Sequence, residues 1–245
     1  MSAPPAITIT QDPAADAAER LAAAAASGGH IALAGGSTPR AAYERAAELE
    51  ADWSRATLWF GDERCVPPDN EHSNFGMAKR ALLDRLPAAV PDVRRIEGER
   101  GPREAATRYE RTLSEAFDST VPELDLVLLG IGPDAHTASL FPRDGALAER
   151  DRLAVGVDTP GMAPLVARVT MTLPVLAGAR EVLFLVAGAD KAEAARRAFC
   201  GPEDPDAPAS LVRPERGSLT VLLDPAAASE LPGGEGGDTS PGAPR

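Results

Sequence analysis

Four short apolar runs in this chain each stop at a glycine-bearing polar turn: ALA before GGSTP, LWF before GDER, VLL before GIGPDAH and FLV before AGADK. The strongest is Leu124–Leu129, apolar except for Asp125. Continuous apolar runs of strand length suit strands buried on both faces, which is the habit of parallel sheets. Such sheets gather ligands outside the carboxyl ends of their strands. If the four runs are neighbours, their exits form one cleft, and the polar turns face one another across it.

The rest of the chain alternates in the same way. Ala6–Thr10 reads as an opening strand, and Asp12 with Pro13 starts an Ala-rich helix to about Ala26, an N-cap followed by proline in the first turn. His30–Ala34 is the next strand, followed by Gly35–Pro39 and a helix from Arg40 to about Glu50. Thr57–Phe60 is a strand, Ser73–Leu86 has helical spacing, Val93–Ile96 is a short strand and Pro102–Phe117 a helix. Val166–Leu173 alternates like a strand with one polar face. Glu181–Ala187 is a buried-type strand, Ala189–Phe199 an amphipathic helix, and Leu219–Leu223 a last strand before a short Ala-rich helix after Asp224. Alternating β and α segments imply one layered α/β domain with a mainly parallel sheet over residues 1–231. Residues 232–245, rich in Gly and Pro, are expected to form a disordered tail.

Charge and cysteine content narrow the partners. Lys and Arg total 25 against 37 Asp and Glu, a net charge of −12, which argues against nucleic acid or an anionic membrane surface as partner. An anionic ligand would need a locally basic pocket. Cys65 and Cys200 stand alone, with no CxxC, so neither a disulfide framework nor a thiolate metal site is expected. The opening MSAPPAITIT lacks the basic and apolar regions of a signal peptide. No apolar segment approaches the roughly 20 residues a membrane helix needs. A reduced, cytoplasmic protein is expected, as a monomer or weak homodimer.

Candidate chemistry lies in the turns. The chain has three histidines, His30, His72 and His136. Only His136 follows a buried strand with an acid, Asp134, two residues away, the placement of a base able to work near neutral pH. Gly35, Gly36, Ser37 and Thr38 form a candidate phosphate loop, since glycines admit close backbone approach and a helix N-terminus favours an anion. The alternative is a plain capped βα turn; neither a Walker A loop nor a GxGxxG dinucleotide fingerprint is present. Asp62 and Arg64 belong to a charged turn equally readable as a solvated loop. Arg168 and Lys191 would be surface charges in isolation, and phosphate partners beside such a loop. His30 is expected at the surface and His72 in a loop or cap. Cys65 is a weak nucleophile candidate, and the scattered histidines make no metal site.

The segments LAGGSTPRAAY, LWFGDERCVP…NEHSNFGMAKRALL, LDLVLLGIGPDAHTASLFP, RVTMTLPVL and LVAGADKAEAARRA resemble, in order and spacing, the 6-phosphogluconolactonases over residues 7–228. The resemblance implies a three-layer, modified Rossmann-like α/β/α domain shared with glucosamine-6-phosphate isomerase/deaminases. It also implies metal-free, cofactor-free hydrolysis of a small sugar-phosphate lactone, 6-phosphogluconolactone, in the oxidative pentose phosphate pathway. On this resemblance His136 is the general base, with Asp134 or Asp62 orienting it. Arg64 or backbone N–H groups near Gly132 stabilise the oxyanion. Gly35, Gly36, Ser37, Thr38, Arg168 and Lys191 bind phosphate, and Asn74 matches a further binding element. Two departures stand out. Ala135 replaces a glycine, straining the turn by roughly 1 kcal/mol if φ is positive there. Phe141 stands where the related deaminases place a glutamate, which disfavours the rival amino-sugar isomerase reading. A non-catalytic sugar-phosphate sensor is the rival from another class; a dehydrogenase lacks its fingerprint.

Overall fold

The computed structural model describes residues 4–86 and 90–232. In chain order the elements are β1 (Ala6–Ile9), α1 (Pro13–Ala26), β2 (His30–Leu33), α2 (Ser37–Ala46), β3 (Thr57–Phe60), β4 (Asp62–Arg64), α3 (Asn74–Ala81) and β5 (Asp92–Val93). There follow α4 (Pro102–Ala116), β6 (Leu126–Leu129), β7 (Ala154–Val157), β8 (Arg168–Met171), α5 (Leu173–Ala177), β9 (Glu181–Val186), α6 (Ala192–Phe199) and β10 (Ser218–Leu223). Seven strands make one sheet in the order β1-β10-β9-β6-β2-β3-β5, with every pairing parallel. Helices flank it, so the fold is the expected layered α/β arrangement.

The four apolar runs are β9, β6, β2 and β3, and they are consecutive in the sheet. All four residues of β6 are buried, as are all but the first residues of β2, β3 and β9. Each fully buried Leu, Val or Phe contributes about 1.5–3 kcal/mol by leaving water. The chain runs from β2 to β3 in one direction across the sheet, and from β6 to β9 in the other. Strand order therefore reverses between β2 and β6, and right-handed crossovers send the connecting helices to opposite faces there. The crevice at such a reversal is where this class of sheet leaves room for a ligand.

A second sheet was not legible in the sequence. Strands β4, β8 and β7 pair antiparallel. The charged turn Asp62–Arg64 is thus a strand, not a solvated loop. Gly61 joins the sheets: its N–H donates to Leu33 O (3.0 Å) in the large one, and its carbonyl accepts from Met171 N (2.8 Å) in the small one. Strand β8 is buried along its whole length, its polar residues Arg168 and Thr170 included. Helix α4 packs on β7 and β8. Other boundaries also moved. Helix α2 begins at Ser37 instead of Arg40, α3 ends at Ala81, and the segment after Asp224 forms turns, not a helix. The expected tail lies outside the described residues except for Pro232.

His30 is half-buried instead of exposed: its Nδ1 accepts from Trp59 Nε1 (3.1 Å), and its ring packs on Trp59 and Phe117. Two tyrosines pin the strand ends next to the crevice. Tyr43 Oη accepts from Ala34 N and donates to Ala34 O, both at 2.8 Å. Tyr109 Oη bridges Phe60 N (2.9 Å) and Phe60 O (3.0 Å) in the same way. Both rings are buried, so each hydroxyl satisfies backbone groups that water cannot reach. Tyr43→Phe leaves the Ala34 N–H and C=O unsatisfied and is expected to destabilise the fold by about 1–3 kcal/mol, measured by urea unfolding.

Candidate active site

A cavity of about 220 Å³ opens at the β2–β6 reversal, and its lining includes Gly35–Thr38, Asp62, Arg64, His136, Arg168 and Lys191. The structure therefore brings nine of the eleven sequence-predicted site residues to one wall-to-wall space. Asp134 and Asn74 stand behind that lining and act on it through hydrogen bonds.

The His136 turn follows from local chemistry. After β6 the chain folds back so that Gly132 N donates to His136 O (2.9 Å) and Ala135 N to Gly132 O (2.9 Å). Thr137 Oγ1 closes the turn onto Gly130 O at 2.8 Å. This path requires Ala135 at φ 64°, the left-handed region anticipated for it. The methyl is fully buried and the Ala135 carbonyl accepts from Ala209 N (3.0 Å), contacts that hold the strained conformation. A Cβ on Gly132 would come within 2.0 Å of His136 Nδ1, so only glycine fits against the imidazole. The Gly132 N–H is engaged by His136 O and is not free to donate into the cavity.

Asp134 Oδ1 lies 2.5 Å from His136 Nδ1 and also accepts from His136 N (3.2 Å). An ionised carboxylate there accepts a proton-bearing Nδ1, which leaves Nε2 with its lone pair. Burial pushes the Asp134 carboxyl up, but the His136 hydrogen bond and charge and the backbone N–H bonds outweigh it and hold it below the usual range. Asp62 makes no hydrogen bond to His136. Its Oδ1 accepts from Asn74 Nδ2 (3.0 Å) and its Oδ2 from the buried Ser139 hydroxyl (2.6 Å).

Cations gather on the other side. In the β4–β8 ladder Arg64 and Arg168 are direct partners, so two guanidinium groups share one face. Arg64 is braced by Nη1 donating to His72 O (2.7 Å), and Arg168 by Nη2 donating to Met162 O (2.9 Å). The Nε groups of both are buried without a hydrogen-bond partner. Burial lowers the pKa of Arg168, Asp62 opposes that shift and Arg64 reinforces it; an arginine stays charged regardless. Lys191 sits at the turn before α6 and pairs with Asp190 at 2.9 Å. Ser37 and Thr38 are the first residues of α2, and Gly36 precedes them at φ 108°. The leading N–H groups of a helix have no intrahelical partner and favour an anion.

Residues without a sequence signal complete the site. Ser139 and Glu63 are buried polar groups that hold it from behind. Phe141 packs its ring 4.6 Å from that of His136, and the Arg168 guanidinium lies 5.2 Å from it on the phenyl face. Cys65 carries no thiolate at neutral pH: burial, then Glu63 and Asp158, push it up to about 11. His72 is exposed and serves through its backbone. Among the described residues no group of three His, Cys, Asp or Glu side chains is placed to hold a metal ion. No helix among them is long and apolar enough to cross a membrane.

Fold and cleft together define an α/β protein with an acid–imidazole pair facing clustered cations across a switch-point crevice. The chain belongs to the glucosamine-6-phosphate isomerase/6-phosphogluconolactonase family, whose profile matches residues 6–221. It is 42% identical over 206 residues to a 6-phosphogluconolactonase of Nostoc sp., covering 82% of this chain and 84% of that protein. It is 43% identical over 183 residues to the Homo sapiens 6-phosphogluconolactonase, covering 74% and 70%. The solved 6-phosphogluconolactonase from Trypanosoma cruzi aligns with a TM-score of 0.81 at 29% identity, over 94% of this chain and 98% of that one.

The Asp134–His136 bond sets a pH dependence. A carboxyl held below its unfolded value contributes stability above that value, about 3.9 for Asp, and the contribution disappears as pH falls through the folded value. Stability measured by urea unfolding should therefore fall on acidification below about pH 4. Asp134→Asn should show a shallower fall than the parent over the same range.

Proposed function

We propose that this protein hydrolyses 6-phospho-D-glucono-1,5-lactone to 6-phosphogluconate, the lactone-opening step of the oxidative pentose phosphate pathway. The observation that carries this reading is the Asp134–His136 pair in one cavity with Arg168, Lys191 and the start of α2. An acid-oriented base at one end and cations at the other match a substrate with an electrophilic carbonyl and a distant phosphate. Residues 1–231 act as one catalytic domain, supported among the described residues by a single apolar cluster reaching from Ala14 to Leu231. A cytoplasmic setting belongs to the same reading, supported by the free thiols of Cys65 and Cys200.

In the reaction, the phosphate docks on the Ser37 and Thr38 N–H and hydroxyl groups and between Arg168 and Lys191. That anchoring fixes the lactone ring against the base, so binding energy remote from the reacting carbon serves orientation. His136 Nε2 takes a proton from water as the water oxygen attacks the carbonyl carbon. Charge develops on the carbonyl oxygen, and Arg64, which lines the same cavity as His136, stabilises it. Asp134 stabilises the imidazolium. The tetrahedral intermediate collapses by breaking its bond to the ring oxygen, which takes the proton from imidazolium. The products are the free hydroxyl and the carboxylic acid, which ionises in water. No step requires a metal or cofactor.

His136→Ala should lower turnover of freshly prepared lactone by about 10²–10⁴-fold, after correction for spontaneous opening, while 6-phosphogluconate still binds. The parent should release no ammonia from glucosamine 6-phosphate and should keep its activity in a chelator. Ammonia release without lactone hydrolysis would overturn the reading and leave the fold intact.

The anion site is separately testable. Arg168→Met and Lys191→Met should each weaken 6-phosphogluconate binding by about 1.5–3 kcal/mol, the scale of a charged hydrogen bond. Calorimetric titration measures this; unchanged affinity in both variants would place the phosphate elsewhere.

A further inference from the structure

Glu63 has no part in the chemistry described above, yet its carboxylate is buried between β4 and α3. Alternation along β4 aims Asp62 and Arg64 at the cavity and Glu63 away from it. Its Oε1 accepts from Arg64 N and Asn74 N, both at 2.7 Å. Its Oε2 accepts from Phe75 N (2.8 Å) and the Ser73 hydroxyl (3.0 Å). Among the described residues no Lys, Arg or His nitrogen comes within salt-bridge distance of it. Burying a carboxylate without a salt-bridge partner is costly, and the charge of Arg95 acts with it only at longer range. Here four donors and the positive end of α3 offset part of that cost; burial still pushes the Glu63 carboxyl above its usual range, and Asp62 adds to the shift.

The contacts beyond Glu63 lead to the cavity wall. Asn74, the first residue of α3, donates from Nδ2 to Asp62 O (2.9 Å) and to Asp62 Oδ1 (3.0 Å). Its Oδ1 has no hydrogen-bond partner and lies 2.1 Å from where a Cβ on Gly35 would stand. One amide thus touches both Asp62 and the glycine end of the anion loop. Arg64 is referenced to the same turn twice, by its own N–H on Glu63 and by Nη1 on His72 O.

We propose that Glu63 is a positioning residue for lactone opening: by holding the first turn of α3 it fixes Asn74, and through Asn74 Asp62 and the Gly35 end of the loop, while its own bond to the Arg64 N–H fixes Arg64. The inference rests on the lactonase reading. Glu63→Gln keeps the size of the side chain but turns one acceptor into a donor facing N–H groups. The full-length parent, Glu63→Gln, Asn74→Ala and the double variant are assayed for kcat and KM on fresh lactone, with urea unfolding of each.

Glu63→Gln should unfold cooperatively and lose roughly 10–100-fold in kcat, the range a small misplacement of catalytic groups produces. Asn74→Ala should lose a similar factor, and the double variant no more than the worse single, because both act through one contact. A merely structural Glu63 would lower stability and leave kcat per folded molecule unchanged. A folded Glu63→Gln with kcat within about twofold of the parent, or fully additive losses, would overturn the proposal. If Glu63→Gln does not fold, Asn74→Ala decides alone by the same twofold criterion. A parent that opens no lactone defeats the functional reading instead, so the two failures are distinguishable.

Discussion

The burial of β9, β6, β2 and β3 on both faces is the constraint from which the site follows. A strand sealed on both sides has no place for a charged side chain along its length. Polar residues on these segments are displaced to the strand ends, and parallel pairing puts all four carboxyl ends on one edge. The reversal between β2 and β6 then opens that edge into a crevice. Tyr43 and Tyr109 show the same constraint at work: each satisfies the last backbone groups of a buried strand before the chain turns polar.

An acidic chain that receives a phosphate must concentrate positive charge locally, and the small antiparallel sheet does this. Arg64 and Arg168 face each other across the β4–β8 ladder, an arrangement that is unfavourable for two like charges without a compensating anion. Asp62 on the neighbouring register of β4 moderates the repulsion and raises the Arg168 pKa against burial. On the proposed reading, the phosphate at Arg168 and the developing oxyanion at Arg64 relieve the rest. On that reading the free protein holds two guanidinium groups in place before the ligand arrives, so less reorganisation accompanies binding.

What was legible in the sequence and what was not divide on physical grounds. The parallel strands were readable because two-sided burial writes itself as an apolar run, and the His136 turn because a strand exit followed by Asp134 carries its own logic. The small sheet was hidden: β4 reads Asp-Glu-Arg, and its strand character comes from pairing with β8, a contact across about a hundred residues that no local pattern records. The burial of Glu63 has no sequence signature, because its partners include backbone N–H groups of α3. Ser37 and Thr38 were placed in a loop ahead of the helix, although they form its first turn, since proline and glycine nearby blur a boundary by a few residues. Asn74 and Asp134 belong to the site but do not line it, and sequence carries no sign of that distinction.

Phe141 explains how one imidazole is reserved for one task. Its ring packs against that of His136 and also lies beneath the Arg168 guanidinium, so both groups share one apolar neighbour. Asp134 is then the acid hydrogen-bonded to the imidazole, and it engages Nδ1. Nε2 remains for the proton of an attacking water. A carboxylate in place of the phenyl ring, as the resemblance puts in the related deaminases, would offer a second proton acceptor beside the base and a counter-charge near Arg168. Ring opening and proton shuttling between adjacent carbons call for such a second group. A lactone carbonyl is electrophilic before it binds and needs only one base, one donor and a fixed phosphate. The apolar residue at 141 is therefore consistent with the simpler chemistry, and it reaches that result through packing instead of through any reacting atom.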